Sequence, residues 1–137
     1  MASDVLLNKA AIIERCLARI AEEYQVHESE LETNLTRQDA IVLNVQRACE
    51  AAIDAAMHLV KDHRLGLPQE SREAFSMLES AGLLDAALAG KLQAMVGFRN
   101  IAIHDYTKLS LAILRAILDR NLADLAAFAR LLVRQGA

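Results

Sequence analysis

The stretch LNVQRACEAAIDAAMHL, from Leu43 to Leu59, decides the fold. Its apolar residues recur every three or four positions, the period of an α-helix with one buried face. Extended outward, the pattern predicts a helix from about Thr36 to Lys61. The following DHRLGLP supplies cationic side chains, then Gly66 and then Pro68, which is the expected order of signals at a helix C-terminus.

The rest of the chain has the same helical character. Of its 137 residues 54% are hydrophobic, mostly Ala, Leu, Ile and Val, with no Trp, five Gly and one Pro. Ala and Leu favour helix, whereas strands favour β-branched and aromatic residues. We predict a single all-α domain spanning residues 1–137, a bundle of five or six helices. The further segments run from Asp4 to about Tyr24, from Pro68 to Gly82, from about Leu84 past Gly90 and Gly97, from Ser110 to about Leu118, and from Asn121 to Arg134.

Two details of the C-terminal half bear on packing. Gly90 and Gly97 fall inside a predicted helix, where each glycine costs about 1 kcal/mol relative to Ala. They therefore indicate close helix packing or a bend. Asn121 and Asp124 resemble a capping arrangement that would separate the last two helices.

Charge and composition limit the function. A formal net charge of −3 argues against a broad nucleic-acid footprint, so any nucleic acid must be bound locally. No apolar run reaches the ~18 residues of a membrane span, and the first ten residues lack a signal-peptide pattern, so we expect a cytoplasmic protein without membrane contact. Cys16 and Cys49 have no metal-type spacing and are predicted to be buried, reduced thiols. The Ala-rich apolar faces predict a homodimer.

The stretch FRNIAIHDY, residues 98–106, contains Arg99, His104 and Tyr106 within a segment that is otherwise typical of a helix. In a continuous helix Arg99 and Tyr106 share a face, whereas Arg99 and His104 are turned by ~140° and separated by ~7.5 Å along the axis. Two arrangements would bring Arg99 and His104 together. Either the helix breaks before His104, or the same segment of a second protomer completes the site across a two-fold axis.

A pocket with paired Arg and His can cleave RNA without a metal. The Arg99 guanidinium matches the geometry of a phosphate, and His104 can give or take a proton near neutral pH. Attack by the 2′-hydroxyl would give a 2′,3′-cyclic phosphate and a 5′-hydroxyl. A symmetric dimer would supply one His as base and another as acid.

The chain resembles the HepT toxins, a branch of the HEPN superfamily. MVGFRNIAIHDY matches the family motif in Arg99, its polar neighbour Asn100, His104, and Tyr106 two residues further on. LNVQRACEAAIDAAMHL and GLPQESREAFSMLESAGLL are similar to the family's second helix and next segment.

The resemblance implies a cytoplasmic, metal-independent endoribonuclease toxin that acts as a dimer, with the Arg and His motifs facing each other. Arg99, His104 and Asn100 would be the catalytic residues. It also implies a minimal nucleotidyltransferase antitoxin that neutralises the toxin by attaching AMP to Tyr106. The added phosphate charge and bulk beside Arg99 would exclude RNA.

Arg47, Glu50, Asp54 and His58 follow one another at steps of three or four and line one face of the second helix. One interpretation is a surface ladder of ion pairs. The other places Arg47, Asp54 or His58 at the rim of the cleft, orienting His104 or contacting RNA. No further ligand completes a metal site around Asp54 and His58, so we predict no metal and no cofactor.

Two other functions remain open. The chain could be a catalytically silent helical subunit that presents substrate to a nucleotidyltransferase. It could also be a purely structural dimer in which the polar motif caps a helix. Toxicity without the partner protein distinguishes the nuclease from the silent subunit. The structural dimer instead predicts that His104→Ala costs about 1 kcal/mol of stability and changes no activity.

Overall fold

The computed structural model describes residues 2–104 and 110–136, and every regular element in these ranges is helical. The elements are α1 (Ala2–Tyr24), a 3₁₀ turn (Glu28–Glu30), α2 (Leu35–Asp62), α3 (Ser71–Ser80), α4 (Ala86–His104), α5 (Leu111–Ala116), a π-helical turn (Ile117–Asn121) and α6 (Leu122–Gly136). The all-α prediction is confirmed. The described part holds five helices if α5, the π turn and α6 are taken as one, and six otherwise.

Helix α2 is central, because it packs against α1, α3, α4 and α6. Every residue of its predicted apolar stripe is buried, namely Ile41, Val45, Ala48, Ala52, Ala55, Ala56 and Leu59. The alanines let neighbouring helices approach closely, while large side chains fill the spaces between them. Phe75 of α3 and Phe128 of α6 meet edge to face, with ring centroids 5.8 Å apart. This core fixes α3 and α4 against the middle of α2.

The helix ends follow local chemistry. The Asn34 side chain caps α2 by accepting a hydrogen bond from the Arg37 N–H at 3.0 Å. The predicted end of α2 is confirmed, since the helix stops at Asp62 and Gly66 then adopts a φ of +132°. The Asp85 carboxylate accepts a hydrogen bond from the Leu88 N–H at 2.7 Å, which fixes the start of α4. None of the helices in residues 2–104 and 110–136 is long and apolar enough to cross a membrane.

The predicted break at Asn121 is wrong. Helix α5 continues into α6 through the π turn, and the Asn121 side chain donates to the Asp124 carboxylate at 3.1 Å within this continuous helix. No Gly or Pro lies between Ser110 and Asn121 to stop the helix. The helix instead accommodates one extra residue in the wider π turn at Ile117–Asn121. The π turn is tied to α1 by the Tyr24 hydroxyl, which donates to Asp119 Oδ1 at 2.8 Å.

Both cysteines are buried free thiols, as predicted. Burial raises the pKa of the Cys49 thiol from its ordinary value of 9.0 to about 12, although the positive charge of Arg99 opposes the shift. The folded protein therefore holds this proton more tightly than the unfolded chain does. Because the shift is upward, its stabilising contribution is complete below pH 9 and is lost as pH rises toward about 12.

We expect the free energy of unfolding to fall above pH 9 by up to about 1.4 kcal/mol per pH unit through Cys49 alone. Urea unfolding from about pH 7 to about pH 10.5 would measure this loss. In the Cys49→Ala variant, the free energy of unfolding should fall less steeply with rising pH. Tyr24, whose pKa is raised by burial and then by Asp119, contributes in the same direction in both proteins. Equal slopes for the two proteins would contradict the assignment to Cys49.

Candidate active site

Helix α4 carries the Arg–His motif without interruption. It runs from Ala86 to His104, so the helix does not break before His104. Arg99 and His104 are thus turned apart by about 140° on one helix. Asn100 and His104 are exposed, and neither side chain has a hydrogen-bonding partner in the described part of the chain. Of the two arrangements predicted from the sequence, only completion by a second protomer is compatible with this helix.

The Arg99 side chain is held where α2, α3 and α4 meet. Its Nη1 donates to Glu50 Oε1 of α2 at 2.7 Å, and its Nη2 donates to Ser71 Oγ of α3 at 3.2 Å. The side chain is only 17% exposed. Its Nε is buried and has no partner within the described residues. A buried donor without a partner costs about 1–3 kcal/mol, so the packing that fixes Arg99 here lowers stability.

A pocket of about 220 Å³ opens beside Arg99. It is lined by Glu70, Ser71, Arg72, Val96, Arg99 and Asn100. The start of α3 therefore forms one wall and the Arg99–Asn100 turn of α4 forms the other. The pocket brings two guanidinium groups to one small concave surface, where an anion of phosphate size would meet both.

The four polar residues predicted to line one face of α2 have different surroundings in the structure. Within the described residues, Glu50 is the one of these four side chains that contacts Arg99. Arg47 is exposed, and Asp54 Oδ2 lies 3.4 Å from Lys9 Nζ of α1. His58 Nε2 lies 3.2 Å from Asp62 Oδ2, in a geometry that does not form a hydrogen bond. These side chains do not form a ladder with one another, and the assignment of Arg47, Asp54 and His58 to a cleft rim stays a prediction.

An apolar groove of about 380 Å³ lies on another side of α4, between that helix and α5. Ile101 and Ile113 line it and are 38% and 48% exposed. Ile103, next to His104 in the sequence, is 43% exposed. Large aliphatic side chains grouped in this way on a surface are typical of an interaction site. The exposed apolar surface is thus adjacent to the end of α4 that presents His104.

Tyr106, the predicted site of AMP attachment, lies outside the described residues. Within residues 2–104 and 110–136, no group of three or more His, Cys, Asp or Glu side chains is arranged to hold a metal ion. The sequence reasoning missed Ser71 and Arg72 as neighbours of Arg99. Gly97 was the available signal, because a Cβ at that position would lie only 2.9 Å from Arg72 Nη2. Gly90, by contrast, faces open space.

Comparison with known proteins defines the class. Residues 13–132 match the family model described as Ribonuclease HepT-like. The chain is 41% identical over 126 residues to the mRNA nuclease HepT of Shewanella oneidensis, covering 92% of this chain and 94% of that relative. The protein therefore belongs to the HepT-like ribonuclease family, and the resemblance inferred from its motif is confirmed.

Solved structures agree with this assignment. A tri-AMPylated Shewanella oneidensis HEPN toxin, in complex with an MNT antitoxin, superposes with a TM-score of 0.89 at 40% identity, covering 94% of this chain and 96% of that chain. A toxin–antitoxin complex with AMP-PNP gives a TM-score of 0.90 at 40% identity, with coverage of 94% and 97%. The helical bundle is therefore the HEPN toxin fold.

Proposed function

We propose that this protein is the toxin of a toxin–antitoxin pair and cleaves RNA without a metal or cofactor. The observation that carries the proposal is the arrangement of α4, which holds Arg99 in a pocket and ends at an exposed His104. The similarity to an mRNA nuclease supports the substrate class. A nuclease acting on mRNA would work in the cytoplasm.

In this proposal Arg99 binds the scissile phosphate and stabilises the charge that develops on it. One His104 removes the proton from the 2′-hydroxyl, and the 2′-oxygen then attacks phosphorus. The bond from phosphorus to the 5′-oxygen breaks, and a second His104 protonates the leaving oxygen. The products are a 2′,3′-cyclic phosphate and a 5′-hydroxyl. Asn100, exposed next to Arg99 at the same pocket, positions the phosphate.

The two histidines would come from two copies of the chain, each a single domain of residues 1–137. Continuity of α4 supports this homodimer, because one molecule directs Arg99 and His104 to different sides. The groove with Ile101 and Ile113 offers apolar surface near the same helix. Burial of such side chains drives association, and a two-fold axis would place both motifs in one cleft.

The partner would be a nucleotidyltransferase antitoxin. The similar Shewanella oneidensis toxin is tri-AMPylated in complex with an MNT antitoxin. We assign Tyr106 as the AMP acceptor of this chain, since it follows His104 by two residues. Each AMP adds a negative phosphate near the cation that binds the substrate, so modification should block RNA entry.

The test compares the protein expressed alone and with its nucleotidyltransferase. Unmodified protein should cleave single-stranded RNA in the presence of a chelator and leave 5′-hydroxyl ends that a polynucleotide kinase can label. Protein from co-expression should gain mass in whole AMP units and lose cleavage. Tyr106→Phe should block both changes.

The chain has only one other tyrosine, Tyr24, which is buried and bonded to Asp119, so Tyr24→Phe is the matched control and should still be modified. Absence of both cleavage and toxicity in the unmodified protein would instead favour the silent substrate-binding subunit.

A further inference from the structure

A second arginine is fixed beside Arg99 by an unusual packing arrangement. Arg72, the second residue of α3, lies across α4 with its Nη2 only 2.9 Å from where a Cβ on Gly97 would be. Its Nε donates to the Gln93 carbonyl at 3.4 Å. The Gln93 side-chain amide donates to the Arg72 carbonyl at 3.0 Å and to Ser76 Oγ at 2.7 Å. The guanidinium therefore occupies a space that only glycine leaves open.

The charge of Arg72 is not neutralised by an ion pair within the described residues. Among residues 2–104 and 110–136, no carboxylate lies within ion-pair distance of Arg72, whereas Arg99 is paired with Glu50 at 2.7 Å. The Arg72 side chain is exposed, so an incoming anion can reach it without displacing a protein partner. The α3–α4 junction is already joined by the two Gln93 side-chain hydrogen bonds. The Arg72 guanidinium itself donates only through Nε within the described residues, so most of its N–H groups are available to a ligand.

The pocket that Arg72 shares with Arg99 suggests a use for these donors. Consecutive phosphates of a single RNA strand are close enough for neighbouring cations to bind two of them, and backbone contacts of this kind fix the register of a nucleic acid. Because the chain has a net charge of −3, it cannot rely on a general basic surface. Two arginines at one pocket would instead attract RNA phosphates locally.

We propose that Arg72 binds the RNA phosphate adjacent to the one bound by Arg99, and so places the scissile bond against His104. This inference rests on the proposed ribonuclease function and adds a residue to its substrate site. Arg72 would act in binding rather than in bond cleavage, because the proton transfers belong to His104. Glu70, on the same pocket wall, would disfavour additional anions and confine binding to the two arginines.

Kinetics and salt dependence test the proposal directly. Arg72→Gln should raise KM for single-stranded RNA about tenfold and change kcat less than about twofold. Binding of a non-cleavable 2′-O-methyl RNA oligonucleotide should weaken to a similar extent. The slope of log K against log salt should become shallower by about 0.7, the value for one lost phosphate contact on a single strand.

Two glycines of α4 provide a matched pair of variants. Gly97→Ala should shift the Arg72 guanidinium and change KM and the salt slope in the same direction as Arg72→Gln, by a smaller amount. Gly90→Ala introduces the same methyl group on the same helix, where nothing lies within 4 Å, and should leave both quantities unchanged. If Arg72→Gln lowers stability in urea, Gly97→Ala still tests the role, because it keeps the arginine.

The outcomes separate the two proposals. Unchanged KM and salt slope in Arg72→Gln and Gly97→Ala, with RNA cleaved normally, would reduce Arg72 to a link between helices and leave the nuclease proposal standing. RNA binding without cleavage by the wild type, with a slope that depends on Arg72, would support the phosphate contact and contradict the nuclease. A wild type that does not bind RNA at all would overturn both.

Discussion

Replacing His104 with Ala is expected to lower kcat for RNA cleavage by about 10²–10⁴-fold, the usual contribution of general acid–base catalysis. The substitution removes an exposed side chain that has no hydrogen-bonding partner in the described structure, so folding should be unaffected. RNA affinity should change little, because the phosphate contacts come from arginine. Single-turnover cleavage and binding of a 2′-O-methyl oligonucleotide would measure the two effects separately.

His63 offers the matched control for this variant. It is also exposed, and it caps the C-terminal end of α2 as His104 ends α4. His63→Ala should therefore cleave RNA at the wild-type rate. If His104→Ala retains full activity, or if its loss of activity accompanies loss of the folded dimer, His104 is structural and the proposed chemistry is wrong.

Replacing Arg99 with Ala is expected to lower kcat/KM by about 10²–10³-fold, as removal of a preorganised transition-state contact does in other enzymes. The loss has two physical parts. The phosphate loses its guanidinium donors, and Glu50, which lies 2.7 Å from Arg99 Nη1 in the native protein, becomes an unpaired carboxylate close to the phosphate. Arg99→Lys should recover some activity, since it restores a positive charge but not the planar fork.

Kinetics of both variants, with urea unfolding in parallel, would measure this effect. Arg19 provides a comparison, because it also pairs with a glutamate at 2.7 Å, on the exposed face of α1 and among other charged residues. Arg19→Ala should leave cleavage intact. Wild-type kcat/KM in Arg99→Ala would show that this partly buried arginine is only a link between α2, α3 and α4.

Local sequence signals predicted most of the fold. The apolar stripe of α2 and its end before Gly66 depend on periodicity and on glycine conformation, both of which are local properties. The continuity of α5 and α6 could not be predicted in the same way. Asn121 suits a helix cap as well as a π turn, and the contact that accompanies the π turn, from Tyr24 to Asp119, joins residues far apart in the sequence.

The candidate site, too, was predicted from the sequence only where residues close together in the chain determine it. Spacing placed Glu50 on one face of α2, but it could not identify Arg99, 49 positions away, as its partner. The glycines of α4 indicated close packing without indicating what packs there, and only Gly97 has a close neighbour. Arg72 was missed because it lies on a different helix from Arg99, so spacing along the chain does not relate the two residues. Its relation to Gly97 exists only after α3 folds onto α4.

The unbroken course of α4 also bears on how much protein is harmful. If Arg99 and His104 must come from different molecules, the number of working sites rises with the square of the protein concentration while monomers predominate. Doubling a small free pool would then increase cleavage about fourfold. An antitoxin would not have to capture every copy. Keeping the concentration of unbound protein below the dimer dissociation constant would be enough to prevent most cleavage. The continuity of α4 would therefore make toxicity depend on a threshold concentration.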